Sequence, residues 1–181
     1  MNPAAQAVLS FWLDPAHQPF WFAKSETFDQ TIAQHFSATL KQAASGELAH
    51  WRNTAEGRVA EIIVLDQFSR NLHRNSPQAF SQDAMALALA QELLIQPEFN
   101  SLPQVLRRFA LMPFMHSESA LIHQQAVQLF TELGDPHTLD FELRHKEIID
   151  RFGRYPHRNE TLGRLSTDEE LAFLTEEGSS F

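Results

Sequence analysis

Ser25-Glu26-Thr27-Phe28-Asp29-Gln30-Thr31-Ile32-Ala33-Gln34-His35-Phe36-Ser37-Ala38-Thr39-Leu40-Lys41-Gln42-Ala43-Ala44-Ser45-Gly46 reads as a helix from cap to stop. Ser25 is an N-cap residue, and Phe28, Ile32, Phe36 and Leu40 draw one apolar stripe at four-residue steps. Gly46 supplies a C-terminal stop. The same grammar extends in both directions. Asn2-Pro3 starts a helix that Asp14-Pro15 ends. Thr54 caps a helix running to about Leu72. Gln82 to Gln96, rich in Ala and Leu, is helical up to Pro97. Leu102-Pro103 opens another, which Pro113 interrupts. Ser117 or Ser119 caps a helix that runs to Leu133 and stops at Gly134. Leu139 to Phe152 follows, stopped by Gly153 and Pro156. Ser166-Thr167-Asp168-Glu169 reads as a capping box before a last short helix through Leu174. Strand alternation with hairpin turns is missing. The expected fold is all-α, with antiparallel helical hairpins in a single domain over residues 1–181.

Charge and composition narrow the function. The chain carries 23 acidic residues against 14 basic ones, a formal charge of −9. That balance argues against nucleic acid as a partner, since phosphate binding needs Lys and Arg in excess. Zero cysteines exclude disulfides, thiolate zinc sites, iron–sulfur clusters and cysteine nucleophiles. No apolar run reaches the roughly 18 residues of a membrane span, and the apolar start lacks a basic leader. A cytoplasmic protein without a membrane partner is expected. No Gly-rich phosphate loop, Gly-x-Ser-x-Gly elbow or His-Glu-x-x-His is present, so neither cofactor nor metal is predicted. Of the basic residues 11 are Arg, the cation suited to planar bidentate pairing. Five of them lie between Arg144 and Arg164, where the net charge is +3 against −12 for the rest.

Four segments carry candidate chemistry. In Leu65-Asp66-Gln67-Phe68-Ser69-Arg70-Asn71-Leu72, Asp66 and Arg70 are one helical turn apart, as are Gln67 and Asn71. Val59, Ile62 and Ile63 share their face, and Val64, Leu65, Phe68 and Leu72 cover the others. A polar cluster is thus set into a buried helix, where charges must be paired. In Pro113-Phe114-Met115-His116-Ser117-Glu118, His116 and Glu118 stand at the start of a new helix, where a carboxylate gains from the dipole. Arg151-Phe152-Gly153-Arg154-Tyr155-Pro156-His157-Arg158-Asn159 concentrates cations in a rigid loop, suited to a carboxylate or phosphate or to the protein's own acids such as Asp66 or Glu118. At the C-terminus, Gly178-Ser179-Ser180-Phe181 either docks on the body, its carboxylate meeting an Arg, or stays untethered. His17, His35, His50 and His137 sit in ordinary surface or loop contexts.

These segments, together with Val8-Leu9-Ser10-Phe11-Trp12 and Trp21-Phe22, resemble the bacterial DUF924 family nearly end to end and in motif order. Ser69 stands where the family's motif has a proline. The resemblance implies tetratricopeptide-like helical hairpins in a right-handed layered arrangement, and no established activity. The motif residues it carries over are Asp66, Gln67, Arg70, Asn71, His116, Ser117, Glu118, Arg151, Arg154, His157, Arg158 and Asn159.

Three functions compete. The leading one is a binding protein whose convergent Arg and His motifs hold an anionic small molecule or a peptide carboxylate. The second is an acid–base or hydrolytic enzyme, with His116 or His157 as base, Glu118 or Asp66 orienting it, and Arg side chains stabilising developing charge. The third treats the motifs as a buried electrostatic frame and assigns function to an exposed surface that meets a protein partner.

Overall fold

The computed structural model describes residues 1–180, and all regular structure among them is helical. The chain divides into two compact units, Met1–Arg74 with Gln78–Pro113, and Asn75–Pro77 with the residues from Phe114 onward. The terminal Phe181, and with it the question of its docking, lies outside the described residues. No described helix is long and apolar enough to cross a membrane.

In the first unit, α1 (Pro3–Trp12) begins where the Asn2 side chain accepts from the Ala4 N–H, and α2 (Glu26–Ala44) begins where Ser25 accepts from Phe28. All four stripe residues of α2 are buried. Thr54 caps α3 (Ala55–Ile63), which continues through a π-helical turn (Val64–Phe68) into α4 (Ser69–Leu72). Then come α5 (Asp83–Leu94) and α6 (Gln104–Met115). Every residue from Val59 to Ser69 is buried, because α1, α2 and α5 all pack on this segment. Trp12 meets Phe68 and Phe109 edge-on, with ring centroids 5.6 and 5.5 Å apart. Such arrangements align ring edges with ring faces and add to the area term. Pro113 does not interrupt α6 as expected. It lies within the last turn, and the helix runs on to Met115.

In the second unit, α7 (Ala120–Leu133) ends at Gly134, whose φ of 74° is left-handed. Asp135 then caps α8 (Pro136–Phe152) by accepting from His137 and Thr138. So α8 starts three residues before the expected Leu139, since Asp-Pro is itself a start signal. The two-residue link folds α8 back antiparallel on α7. After the turn at Pro156–Arg158, a capping box between Thr167 and Glu170 opens α9 (Asp168–Phe173), one residue later than the sequence pattern suggested. Ile148, Ile149, Tyr155 and Phe173 form the core there, with Phe152 against it.

One glycine is fixed by a close approach. A Cβ on Gly57 would lie 2.0 Å from the Trp51 carbonyl oxygen. Glycine to alanine inside a helix ordinarily stabilises by about 1 kcal/mol. Gly57→Ala is expected instead to destabilise by ~1–3 kcal/mol, because backbone must move to admit the methyl. Chemical denaturation of the two proteins checks the sign.

Candidate functional site

In the first unit the polar motif closes on itself. Arg70 donates through Nη1 and Nη2 to the two oxygens of Asp83, at 2.8 and 3.0 Å. Its Nη1 also reaches the Asp66 carbonyl oxygen at 2.9 Å and Asp66 Oδ1 at 3.2 Å. Gln67 Nε2 donates to Asp66 Oδ2 at 2.6 Å. Asn71 Nδ2 donates to Asp29 Oδ1 at 2.7 Å, and Arg74 makes a second, two-point contact with the same carboxylate. The π turn belongs to this network. The Asp66–Arg70 contact one turn apart is kept, and contacts to Asp29 of α2 and Asp83 of α5 are added to it.

In the second unit two Arg–carboxylate forks frame the loop after α8. Arg154 donates to Glu170 from Nε and Nη2 at 2.6 and 2.8 Å. That bond, with the Thr167 N–H and the Asn159 amide, holds the Glu170 carboxyl down to about 2. Arg164 donates to both oxygens of Glu118 at 2.7 and 2.9 Å. The Tyr155 N–H donates to Glu118 Oε1 at 2.7 Å. Burial pushes the Glu118 carboxyl up, but the Arg164 bonds, the Tyr155 N–H and the charges of Arg158 and Arg164 outweigh it and hold it below its ordinary value. Glu118 is thus a partner of Arg164 rather than a bystander at a helix dipole. Arg151 donates to Glu169 at 3.0 Å on the exposed side and stacks on Phe152. Asn159 bridges Arg164, Ser166 and Glu170. Ser117 Oγ accepts from the Ser119 N–H at 3.2 Å. The acids that meet the loop arginines are therefore Glu169, Glu170 and Glu118, of which sequence reasoning offered only Glu118.

The frame encloses Tyr155. Its ring lies 6.2 Å from His123, 5.7 Å from His145 and 5.6 Å from His157, and the Arg158 guanidinium covers it at 4.7 Å. Arg158 Nη2 donates to the His116 carbonyl oxygen at 3.0 Å. Burial lowers the His145 imidazole to about 3, helped by the positive charge that His116, His123 and His157 can carry nearby. His145 Nδ1 sits 2.7 Å from the Phe141 carbonyl oxygen, so the neutral ring carries its proton on Nδ1.

A fully buried pair lies beneath this ring. His123 Nδ1 is 2.7 Å from Glu142 Oε1, and both residues are fully buried. The Tyr155 hydroxyl donates to the Met115 carbonyl oxygen at 2.6 Å, and the Ser117 carbonyl oxygen lies 2.8 Å from His123 Nε2. Carbonyls only accept, so Nε2 carries a hydrogen. A second proton must then occupy the Nδ1–Oε1 contact, and the pair is neutral as a whole. Burial raises the Glu142 carboxyl against the opposing bond and charge of His123. Glu142 Oε2 has no hydrogen-bond partner among the described residues, which suits the carbonyl oxygen of a protonated acid better than a carboxylate.

Sequence reasoning missed His123, Glu142, His145, Arg164 and Glu170. A signal existed: His123 continues the buried stripe Ala126-Phe130-Leu133 of α7, and Glu142 and His145 share the α8 stripe with Thr138 and Ile149. Polar residues on an apolar stripe are buried ones. Among the described residues no group of three His, Cys, Asp or Glu is arranged to hold a metal ion.

All-α packing with polar motifs knitted into buried ion-pair frames defines the class. Within that class, the model of DUF924, a bacterial protein of unknown function, matches residues 8–178, and the chain belongs to this family. No curated protein matches it. It is similar to the solved structure of a protein of unknown function, ATU0120 from Agrobacterium tumefaciens, with 34% identity and a TM-score of 0.89. The likeness covers 95% of this chain and 97% of that one.

Two outcomes test this geometry. Glu142→Gln replaces the shared proton with an amide donor and is expected to fold with near-native stability. Glu142→Leu strands His123 Nδ1 and is expected to cost ~1–3 kcal/mol beyond it; denaturation midpoints compare them. The second concerns acid. Below its ordinary 6.5, His145 takes up a proton in the unfolded chain but not in the folded one until about pH 3. The folded state binds fewer protons in that window, so this contribution to stability is lost as pH falls, at up to ~1.4 kcal/mol per unit. Glu118 and Glu170 lose theirs as pH falls below 4.5, where these carboxyls protonate in the unfolded chain before they do in the folded one. The difference in unfolding free energy between wild type and His145→Gln should therefore change steadily between pH 6.5 and 4.5. Parallel curves would refute the assignment.

Proposed function

We propose that the protein binds a small anionic molecule or a peptide carboxylate at the His116, His157 and Arg158 cluster around Tyr155. The observation that carries the reading is the gathering of three imidazoles, His123, His145 and His157, and the Arg158 guanidinium around one ring, with His116 near His145, in a chain of net charge −9. Planar cations stacked on an aromatic face keep their donors aligned for carboxylate or phosphate. His116 and His157 are half-buried, so a ligand can reach them, whereas His123 and Glu142 are enclosed. Arg70, Arg151 and Arg154 serve in this reading as frame, because each already meets carboxylates of its own unit. Asp66, Gln67, Asn71, Ser117, Glu118 and Asn159 position that frame. A cytoplasmic location, one cooperative domain over residues 1–181 and tetratricopeptide-like layering of the hairpins belong to the same reading; the short α7–α8 link supports the last.

The test follows the imidazole resonances of His116 and His157 by NMR while inorganic phosphate or acetate is added. Both rings should shift saturably and their apparent pKa values rise, since a bound anion favours imidazolium. Arg158→Gln should weaken binding at least about tenfold, the scale of one charge-assisted hydrogen bond. An unaltered affinity in that variant, or no response of either ring, overturns the proposal.

A further inference from the structure

In the first unit a groove of about 340 Å³ opens between α2 and α4. Its size is at the lower end of small-ligand pockets. Leu40, Ala44 and Leu72 give it apolar walls, and Lys41 and His73 line it as well. None of its lining residues is acidic, in a chain with 23 acids. Ser69 also lines the groove and is only 1% exposed. Its Oγ has no hydrogen-bond partner among the described residues. A helical serine ordinarily returns its hydroxyl to the carbonyl four residues back. For Ser69 that residue is Leu65, inside the π turn Val64–Phe68, and this bond is not made. A buried hydroxyl is thereby left to the groove, and an unmet buried donor favours any occupant that satisfies it.

We propose that this groove is a second, separate binding site, for a small amphipathic anion with a carboxylate head and a short aliphatic body. The head accepts from the Ser69 hydroxyl and meets the charge of Lys41, with His73 beside it. The body lies against Leu40, Ala44 and Leu72. Apolar walls explain why a bare anion is not enough, and the absence of acids explains why the head is negative rather than positive.

The experiment titrates the full-length protein with octanoate and follows backbone amides by NMR. 1-Octanol serves as the uncharged probe and inorganic phosphate as the anion without a body. Octanoate should move the amides of Leu40, Ser69, Leu72 and His73 saturably. Both controls should bind at least about tenfold more weakly, the scale of one charge-assisted contact. Ser69→Ala and Lys41→Gln should each weaken octanoate roughly five- to tenfold. Lys41 is exposed, so the second variant reports on binding without threatening the fold. Octanol binding as tightly as octanoate, unchanged affinity in both variants, or shifts confined to the His116 and Arg158 cluster would each overturn the groove proposal. Failure of phosphate to perturb that cluster bears on the other site alone.

Discussion

The fork that Arg164 places on Glu118 organises the second unit. Glu118 stands just before α7, and Arg164 lies beyond the loop that follows α8, 46 residues later. The same guanidinium donates to the Tyr155 carbonyl oxygen and to Asn159 Oδ1, while Glu118 accepts the Tyr155 N–H. Two half-buried charges thus pin the backbone on either side of one aromatic ring. Removing one would leave the other partly desolvated and unpaired, which is why such pairs are harder to break than to replace. With Tyr155 fixed, its hydroxyl reaches Met115, and the histidines arrange themselves around its faces.

Beneath the ring the electrostatics change character. The frames of Arg154 and Arg164 are pairs of full charges with residual solvent contact. The His123–Glu142 contact is sealed, and there the structure resolves the cost of burying charge by sharing a proton. His145 takes a third course and stays neutral. The three solutions are a fork where water still reaches, proton sharing where it does not, and at His145 a neutral ring whose Nδ1 meets the Phe141 carbonyl oxygen. The first unit uses only the first solution, at Arg70 with Asp83 and Arg74 with Asp29.

Membership of a family of unknown function puts the weight on chemistry. Arg70, Arg151 and Arg154 of the motifs each meet carboxylates of their own unit. His116 and His157 keep some solvent contact, Arg158 is buried against the Tyr155 ring, and the groove beside Ser69 belongs to the first unit.

Helix positions and their ends were legible in the chain because caps, stripes and stops are local: Asn2, Ser25 and Thr54 each bond the N–H groups of their own helix. Burial of Asp66 and its pairing with Arg70 were legible for the same reason, being one turn apart. The π turn was not, since it is set by packing of α1, α2 and α5 on one segment, and the α6 proline was misjudged because the buried residues around it hold the helix on to Met115. Partners distant in sequence were beyond reach as well. Several acids lie within range of any given arginine in a list of residues, but only the antiparallel return of α8 on α7 brings Glu142 to His123, and only the packing of α9 brings Glu170 to Arg154. Local hydrogen bonding is encoded by neighbours along the chain, while the choice of partner for a buried charge depends on which surfaces meet, and that is decided by the whole of the packing at once.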